Sequence, residues 1–212
     1  MSAIEIIGAP QSVYVRAARM ALEEKSVPYT LIAAAPHSAQ VLALHPFGKI
    51  PAMRHGRFVL FESKAIATYV DRAFPGPKLL PDDAKLAAQT EQWVSEINTG
   101  VFPTVARYMQ ANAFPQGEDG RPDLATIRDL LPGVRRMVEI LDRAVAPSGH
   151  LAGDGFGLAD IFLMPLLAYL RMFPESAHIL RATALETYFV RHAQRHSFVA
   201  TIPPPLAASR PA

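Results

Sequence analysis

Lys49-Ile50-Pro51-Ala52-Met53-Arg54-His55-Gly56-Arg57-Phe58-Val59-Leu60-Phe61-Glu62-Ser63 is the stretch that decides the fold. Two short apolar runs, 50–54 and 57–61, flank His55-Gly56, a pair that favours a tight turn between antiparallel strands. A proline at the head of the first run removes a ladder donor, so that strand begins at an edge or a bend. After Phe61 the period changes. Ile66, Tyr69 and Val70 recur at helical intervals, which predicts a helix over 63–74. The unit reads β–β–α.

Upstream, Ile4 to Ile7 is a brief strand closed by the turn Gly8-Ala9-Pro10. Val15, Ala18 and Leu22 then keep a helical period over 13–25, and Pro28 ends that helix. Tyr29 to Ala33 reads as a second strand, so the opening β–α–β favours a parallel pair. Residues 1–76 therefore make a small α/β sheet domain. Pro75-Gly76-Pro77 and Pro81-Asp82-Asp83 break the pattern, giving a linker over 77–83. Residues 84–212 read as all-helical. Helices are predicted over 84–112 (bent near Pro103), 123–146, 158–172, 175–181 and 185–195. Pro203-Pro204-Pro205 reads as an extended tail.

Composition narrows the chemistry. The chain has 212 residues, 21 basic and 19 acidic side chains well mixed, and a formal charge of +2. No like-charge run favours nucleic acid or a membrane surface. Cysteine is absent, which excludes disulfides, zinc-thiolate sites and a cysteine nucleophile; any thiol chemistry must use the ligand's thiol. The most apolar run, Ile161 to Leu170, carries Pro165 and is too short to span a bilayer. No secretory signal is visible at the N-terminus, and the expectation is a soluble cytoplasmic protein.

Three features carry possible site chemistry. Ser12 precedes the first helix, where it either caps the helix or offers its hydroxyl to a bound anion. The backbone of Ile50, ahead of Pro51, either starts a strand or pairs with an extended peptide as one more strand. Glu62-Ser63 opens a helix, where Ser63 is an N-cap or, with the free N–H groups, a carboxylate site. Glu62 beside it can accept from a ligand ammonium. Tyr14 is a backup donor. His192 and His196 are four apart on a helix, yet Ala193 follows where a zinc hydrolase needs glutamate, so the reading is a solvated face and no metal. Arg191, His192, Arg195 and His196 read as plain surface. Gly153 to Gly157 reads as a turn into the next helix.

Over nearly its whole length the chain resembles cytosolic glutathione S-transferases of the serine type, phi-like or a related bacterial class. Three motifs carry the resemblance: Gly8-Ala9-Pro10-Gln11-Ser12 with Ala21-Leu22-Glu23-Glu24-Lys25; Pro46-Phe47-Gly48-Lys49-Ile50-Pro51 with Phe61-Glu62-Ser63-Lys64-Ala65-Ile66; and Gly157-Leu158-Ala159-Asp160. It implies a thioredoxin-like N-terminal domain, an all-α C-terminal domain, and glutathione as cosubstrate without a metal. Pro51 would be cis and Ile50 would pair with the cysteinyl backbone. Glu62 and Ser63 would hold the γ-glutamyl end, Lys49 would lie along the tripeptide, and Ser12 would donate to the thiolate. The tyrosine-type classes keep their donor where Gly8 stands here.

Two departures accompany it: Gly157 replaces the usual serine or threonine cap, and Pro36-His37 stands where phi-like members keep a His-Lys pair. His37 or Lys49 is then left for the glycyl carboxylate. Phe47 is similar to an aromatic that some members insert into a partner subunit, which implies a homodimer. The implied activity is attack of the thiolate on a small hydrophobic electrophile, in detoxification. By apolar character, Tyr14, Phe102, Val105, Tyr108 and Met109 are expected to line the electrophile pocket. A non-catalytic ligand-binding or protein-docking member, or a glutathione-dependent isomerase or peroxidase, would share the same first domain.

Overall fold

The computed structural model of the chain describes residues 3–113 and 122–204. It divides into two units. One runs from the N-terminus to Leu79 and takes back the chain from Arg195 onward; the other is Leu80–Gln194.

The first unit contains β1 (Ile4–Ile7), α1 (Val13–Glu24), β2 (Tyr29–Ile32), α2 (Ala39–Leu42), β3 (Ala52–His55), β4 (Phe58–Phe61) and α3 (Ser63–Ala73). The strands form one sheet in the order β2-β1-β3-β4, with β1 and β2 parallel and the other pairs antiparallel. Successive strand residues face opposite ways. Ile6 and its partner Met53 are fully buried on one face, while Ile7 and Ala52 are buried on the other with Val41 of α2. The helix α2 gives no signal in the sequence, since four residues are too few to show a period; Ser38 caps it by accepting from the N–H of Val41. β3 begins after Pro51 rather than at Ile50. The hairpin turn is Gly56-Arg57, one residue later than read, with Gly56 at φ 61° and His55 still paired to Phe58.

Lys25, just past α1, meets Asp71 of α3 at 2.8 Å, with side chains 1% and 6% exposed. Asp71 also accepts from the backbone N–H of Leu79. Gly76 lies against this lysine, at φ 119° and with 3.3 Å from an ideal Cβ to the Lys25 Cδ. Lys25→Met takes the cation away from the buried carboxylate, which keeps its Leu79 donor. Stability should fall by about 3 kcal/mol, the low end for breaking a buried ion pair. Urea unfolding monitors this, and a loss below about 1 kcal/mol would mean that water already screens the pair.

The chain from Arg195 returns to α1. Arg195 donates through Nε and Nη2 to the two oxygens of Glu24 at 2.8 and 2.6 Å, and Ser197 donates to the same carboxylate. Arg19 donates to the carbonyl of Ala200, and the Arg16 guanidinium lies 4.7 Å from the centre of the Phe198 ring. A one-turn helix, α10 (His196–Val199), carries these contacts in the described structure. Arg195, read as plain surface, is thus held by Glu24, while His196 is exposed as read, with its Nε2 3.2 Å from Glu23 Oε2. The segment belongs with the sheet, not with the helices it follows. Pro203 and Pro204 are described; Pro205 and the rest of the tail lie outside the described residues.

The second unit is helical: α4 (Ala84–Glu96), a π-helical turn (Ile97–Val101), α5 (Phe102–Ala113), α6 (Leu124–Val145), α7 (Leu158–Leu170), α8 (Pro174–Leu180) and α9 (Ala184–His192). The expected bend near Pro103 takes the form of that π turn. Pro103 has no N–H for the carbonyl four residues back, and the ladder widens just ahead of it. α7 is apolar on every side and buried at all of its residues but Ala168, which makes it the unit's centre. No helix among the described residues is long and apolar enough to cross a membrane.

Candidate functional site

The sheet register brings three loops to one end. Ile7 pairs with Ala52, and Ala52 pairs with Phe61. The turn after β1, the loop ahead of β3 and the start of α3 are therefore neighbours across three adjacent strands. These are the segments that carry Ser12, Ile50-Pro51 and Glu62-Ser63.

Ser12 is the N-cap of α1, in extended conformation, and its Oγ accepts from the N–H of Val15 at 3.4 Å. Its hydroxyl is used only as an acceptor among the described residues, which leaves the proton for a ligand. Gly8 explains why no bulky donor stands nearer the strand. A Cβ there would lie 2.5 Å from Val15 Cγ2 and 3.1 Å from Ile50 Cβ. The position is closed to a side chain.

The Ile50-Pro51 bond is cis. Neither the N–H nor the C=O of Ile50 has a backbone partner among the described residues. Gly48, at φ 65°, lies under the His37 ring, and an added Cβ would stand 2.4 Å from its Nδ1. The backbone N–H of His37 donates to the Gly48 carbonyl at 2.8 Å, so His37 is held beside this loop. Lys49 is exposed next to it.

Glu62 rather than Ser63 is the N-cap of α3. It makes no side-chain cap bond and sits at φ 70°, a region costly for a residue with a Cβ. Ser63 is the first helical residue and is 7% exposed, and its N–H is among those a helix start leaves unpaired. Tyr14 stands within electrostatic reach of Glu62. Burial, with the Glu62 charge added, pushes its hydroxyl up to about 12, so it stays a protonated donor.

One residue of this region gives no signal in the sequence. His45 is 1% exposed and lies inside the loop that carries Ile50-Pro51. Its Nδ1 accepts from the N–H of Phe47 at 3.2 Å, and its Nε2 is 4.0 Å from Glu62 Oε1. An imidazole one residue ahead of Pro46 carries no periodic signal, and only the folded loop reveals its two neighbours.

His192 is not on a solvated face: it is 2% exposed, its Nε2 lies 3.0 Å from the Gly149 carbonyl, and its ring meets His150, Phe156 and Tyr188. Burial lowers its pKa. Among the described residues, no group of three histidine or carboxylate side chains could hold a metal ion. Gly153 to Gly157 does lead into α7, where Asp160 accepts from the Gly157 N–H. Val105 and Tyr108, expected to line a pocket, are fully buried in the helical unit, Tyr108 edge-on to Phe173.

A family model described as the glutathione S-transferase N-terminal domain matches residues 6–78, and one described as its C-terminal domain matches residues 91–191. Glutathione S-transferase 3 of Zea mays is 30% identical over 99% of this chain and 100% of its own length. The chain belongs to the glutathione S-transferase family. Glutathione S-transferase F11 of Arabidopsis thaliana is 33% identical over 62% of each chain. Among solved structures, glutathione transferase F7 of Populus trichocarpa superposes with a TM-score of 0.84 at 25% identity, covering 93% of this chain and 97% of that one. The mixed four-stranded sheet with its helices, followed by the helical unit, is the thioredoxin-like plus all-α arrangement of glutathione S-transferases.

Proposed function

We propose that this family member binds glutathione at the strand ends and activates its thiol with the Ser12 hydroxyl for attack on a hydrophobic electrophile. The observation that carries the reading is the register Ile7–Ala52–Phe61, which sets the three loops side by side. Ile50 offers its unpaired N–H and C=O to the cysteinyl backbone as an added strand. Ser63 and the start of α3 receive the γ-glutamyl carboxylate, Glu62 accepts from its ammonium, and Lys49 with His37 faces the glycyl carboxylate. Ser12 donates to the sulfur, helped by the positive end of α1. The reaction then needs positioning and stabilisation of an anion, with no covalent bond to the protein. The proposed role is detoxification, in the cytoplasm.

Thiolate absorbance of bound glutathione, followed against pH, tests binding and activation together. An apparent thiol pKa well below the free value of about 8.5 is expected. An unshifted titration with glutathione bound would overturn activation. Retention on glutathione resin without turnover of aryl halides, enals or hydroperoxides would favour the non-catalytic reading.

The proposal includes a homodimer. Phe47 is 69% exposed on the first unit, with Phe58 46% and Val59 39% exposed on edge strand β4. Phe47→Asp should convert the dimer to monomer in sedimentation equilibrium, since a charge cannot be desolvated cheaply in an apolar contact. A parent protein that sediments as a monomer would remove this element.

A further inference from the structure

We infer that His45 is a positioning residue that ties the loop bearing Ile50 to the carboxylate of Glu62, so that the two halves of the glutathione site keep one geometry. The inference rests on the proposed role of Glu62 as the acceptor for the γ-glutamyl ammonium.

The loop fixes the imidazole from several sides. The backbone N–H of His45 donates to the Val41 carbonyl at 2.8 Å, and its carbonyl accepts from the Gly48 N–H at 2.9 Å. Its ring lies 4.6 Å from the Phe61 ring, at the end of β4, and 6.3 Å from that of Phe47. Nδ1 accepts from the Phe47 N–H, so in the neutral ring the proton sits on Nε2. That N–H faces Glu62 Oε1 at 4.0 Å. The gap is about one ångström longer than a hydrogen bond.

Glu62 is well suited to close that gap. Its backbone is held at φ 70° and its side chain is 64% exposed, so the carboxylate can turn while its root stays fixed. One oxygen can then take the Nε2–H of His45 and the other a ligand ammonium. An ionised carboxylate has acceptor sites for both. Once that gap closes, the buried donor behind the carboxylate holds the rotamer that faces the ligand ammonium, and a partner held from a fixed side lowers the ordering cost of binding.

The test uses two variants and two ligands. His45→Asn retains an acceptor near the Nδ1 position for the Phe47 N–H but has nothing that reaches Glu62. His45→Phe keeps the ring packing and loses both nitrogens. KM and kcat are measured with glutathione and with its deaminated analogue, which lacks the γ-glutamyl ammonium. His45→Asn is expected to raise the KM for glutathione roughly five- to tenfold with kcat within twofold, and to leave the analogue's KM unchanged. His45→Phe should do the same to glutathione and, through the loosened loop, raise the analogue's KM as well. Equal changes for both ligands in His45→Asn, or none, would overturn the link to Glu62. If the parent itself fails to distinguish glutathione from the analogue, the ammonium role of Glu62 fails first, a different result from the other two.

Discussion

Ser12→Ala is expected to lower kcat/KM roughly 10- to 100-fold near pH 6.5 while leaving glutathione affinity nearly unchanged. A free thiol ionises near ~8.5, and lowering that by ~2 units takes about 2.7 kcal/mol of selective stabilisation of the thiolate. A hydrogen bond to a charged acceptor contributes about 1.5–3 kcal/mol, and a helix start about 0.3–1 more. The hydroxyl is thus the larger of the two contributions, and the helix end alone cannot replace it. The deficit should shrink as the pH rises toward about 9, where the thiol ionises unaided.

The same substitution removes an N-cap, so rate and stability must be separated. The cap bond to Val15 is long, at 3.4 Å, and its loss should cost about 0.5 kcal/mol, the low end for such caps. Ser12→Gly caps α1 almost as well as serine and should lose as much rate as Ser12→Ala. Either variant turning over like the parent at pH 6.5 would remove Ser12 from the chemistry and hand the donor role to the protonated hydroxyl of Tyr14.

Why some of this was legible in the sequence follows from range. Strand and helix periods are local, and 50–74 held both, with a Gly turn between the strands and a proline at their head. The site read from Ser12, Ile50-Pro51 and Glu62-Ser63 needed only the further inference that β1, β3 and β4 are neighbours. His45 was not legible because its partners, the Phe47 N–H and the Glu62 carboxylate, meet it only after the loop folds over β4. The return of the C-terminal segment was hidden for a similar reason. Arg195 finds Glu24 across 171 residues, and nothing in a charged stretch after a helix states which surface it will meet. His192 misled because spacing on its helix puts it with charged residues, whereas Tyr188, Phe156 and His150 close over it.

Asp160→Ala should destabilise the helical unit by about 4 kcal/mol, lowering its melting temperature by roughly 10 °C. Asp160 is fully buried at the third position of α7. One oxygen accepts from the Leu151 N–H at 2.9 Å and from the Tyr188 hydroxyl at 2.8 Å; the other accepts from the Gly157 N–H at 2.9 Å. Glycine at the N-cap has no side chain to share this work, so the carboxylate fastens the 151–157 loop to the helix start. Alanine leaves three donors unpaired, each costing about 1–3 kcal/mol where water cannot reach.

Burial pushes the Asp160 carboxyl above its usual range, against the pull of those same donors. A raised folded-state pKa means that the folded chain holds this proton more tightly than the unfolded one. Its contribution to stability therefore rises, rather than falls, as the pH drops toward 3.8. Acid is not what releases this contact; removal of the acceptor is. The decisive measurement is a cycle with Tyr188→Phe, which alone should cost about 1 kcal/mol. Made in the Asp160→Ala background, it removes a donor that already lacks its acceptor, so the double variant should be no less stable than Asp160→Ala and the two losses should fall short of additive. Strict additivity in thermal melts would mean that the Tyr188 hydroxyl and the carboxylate act independently, and that the fastening of α7 lies elsewhere.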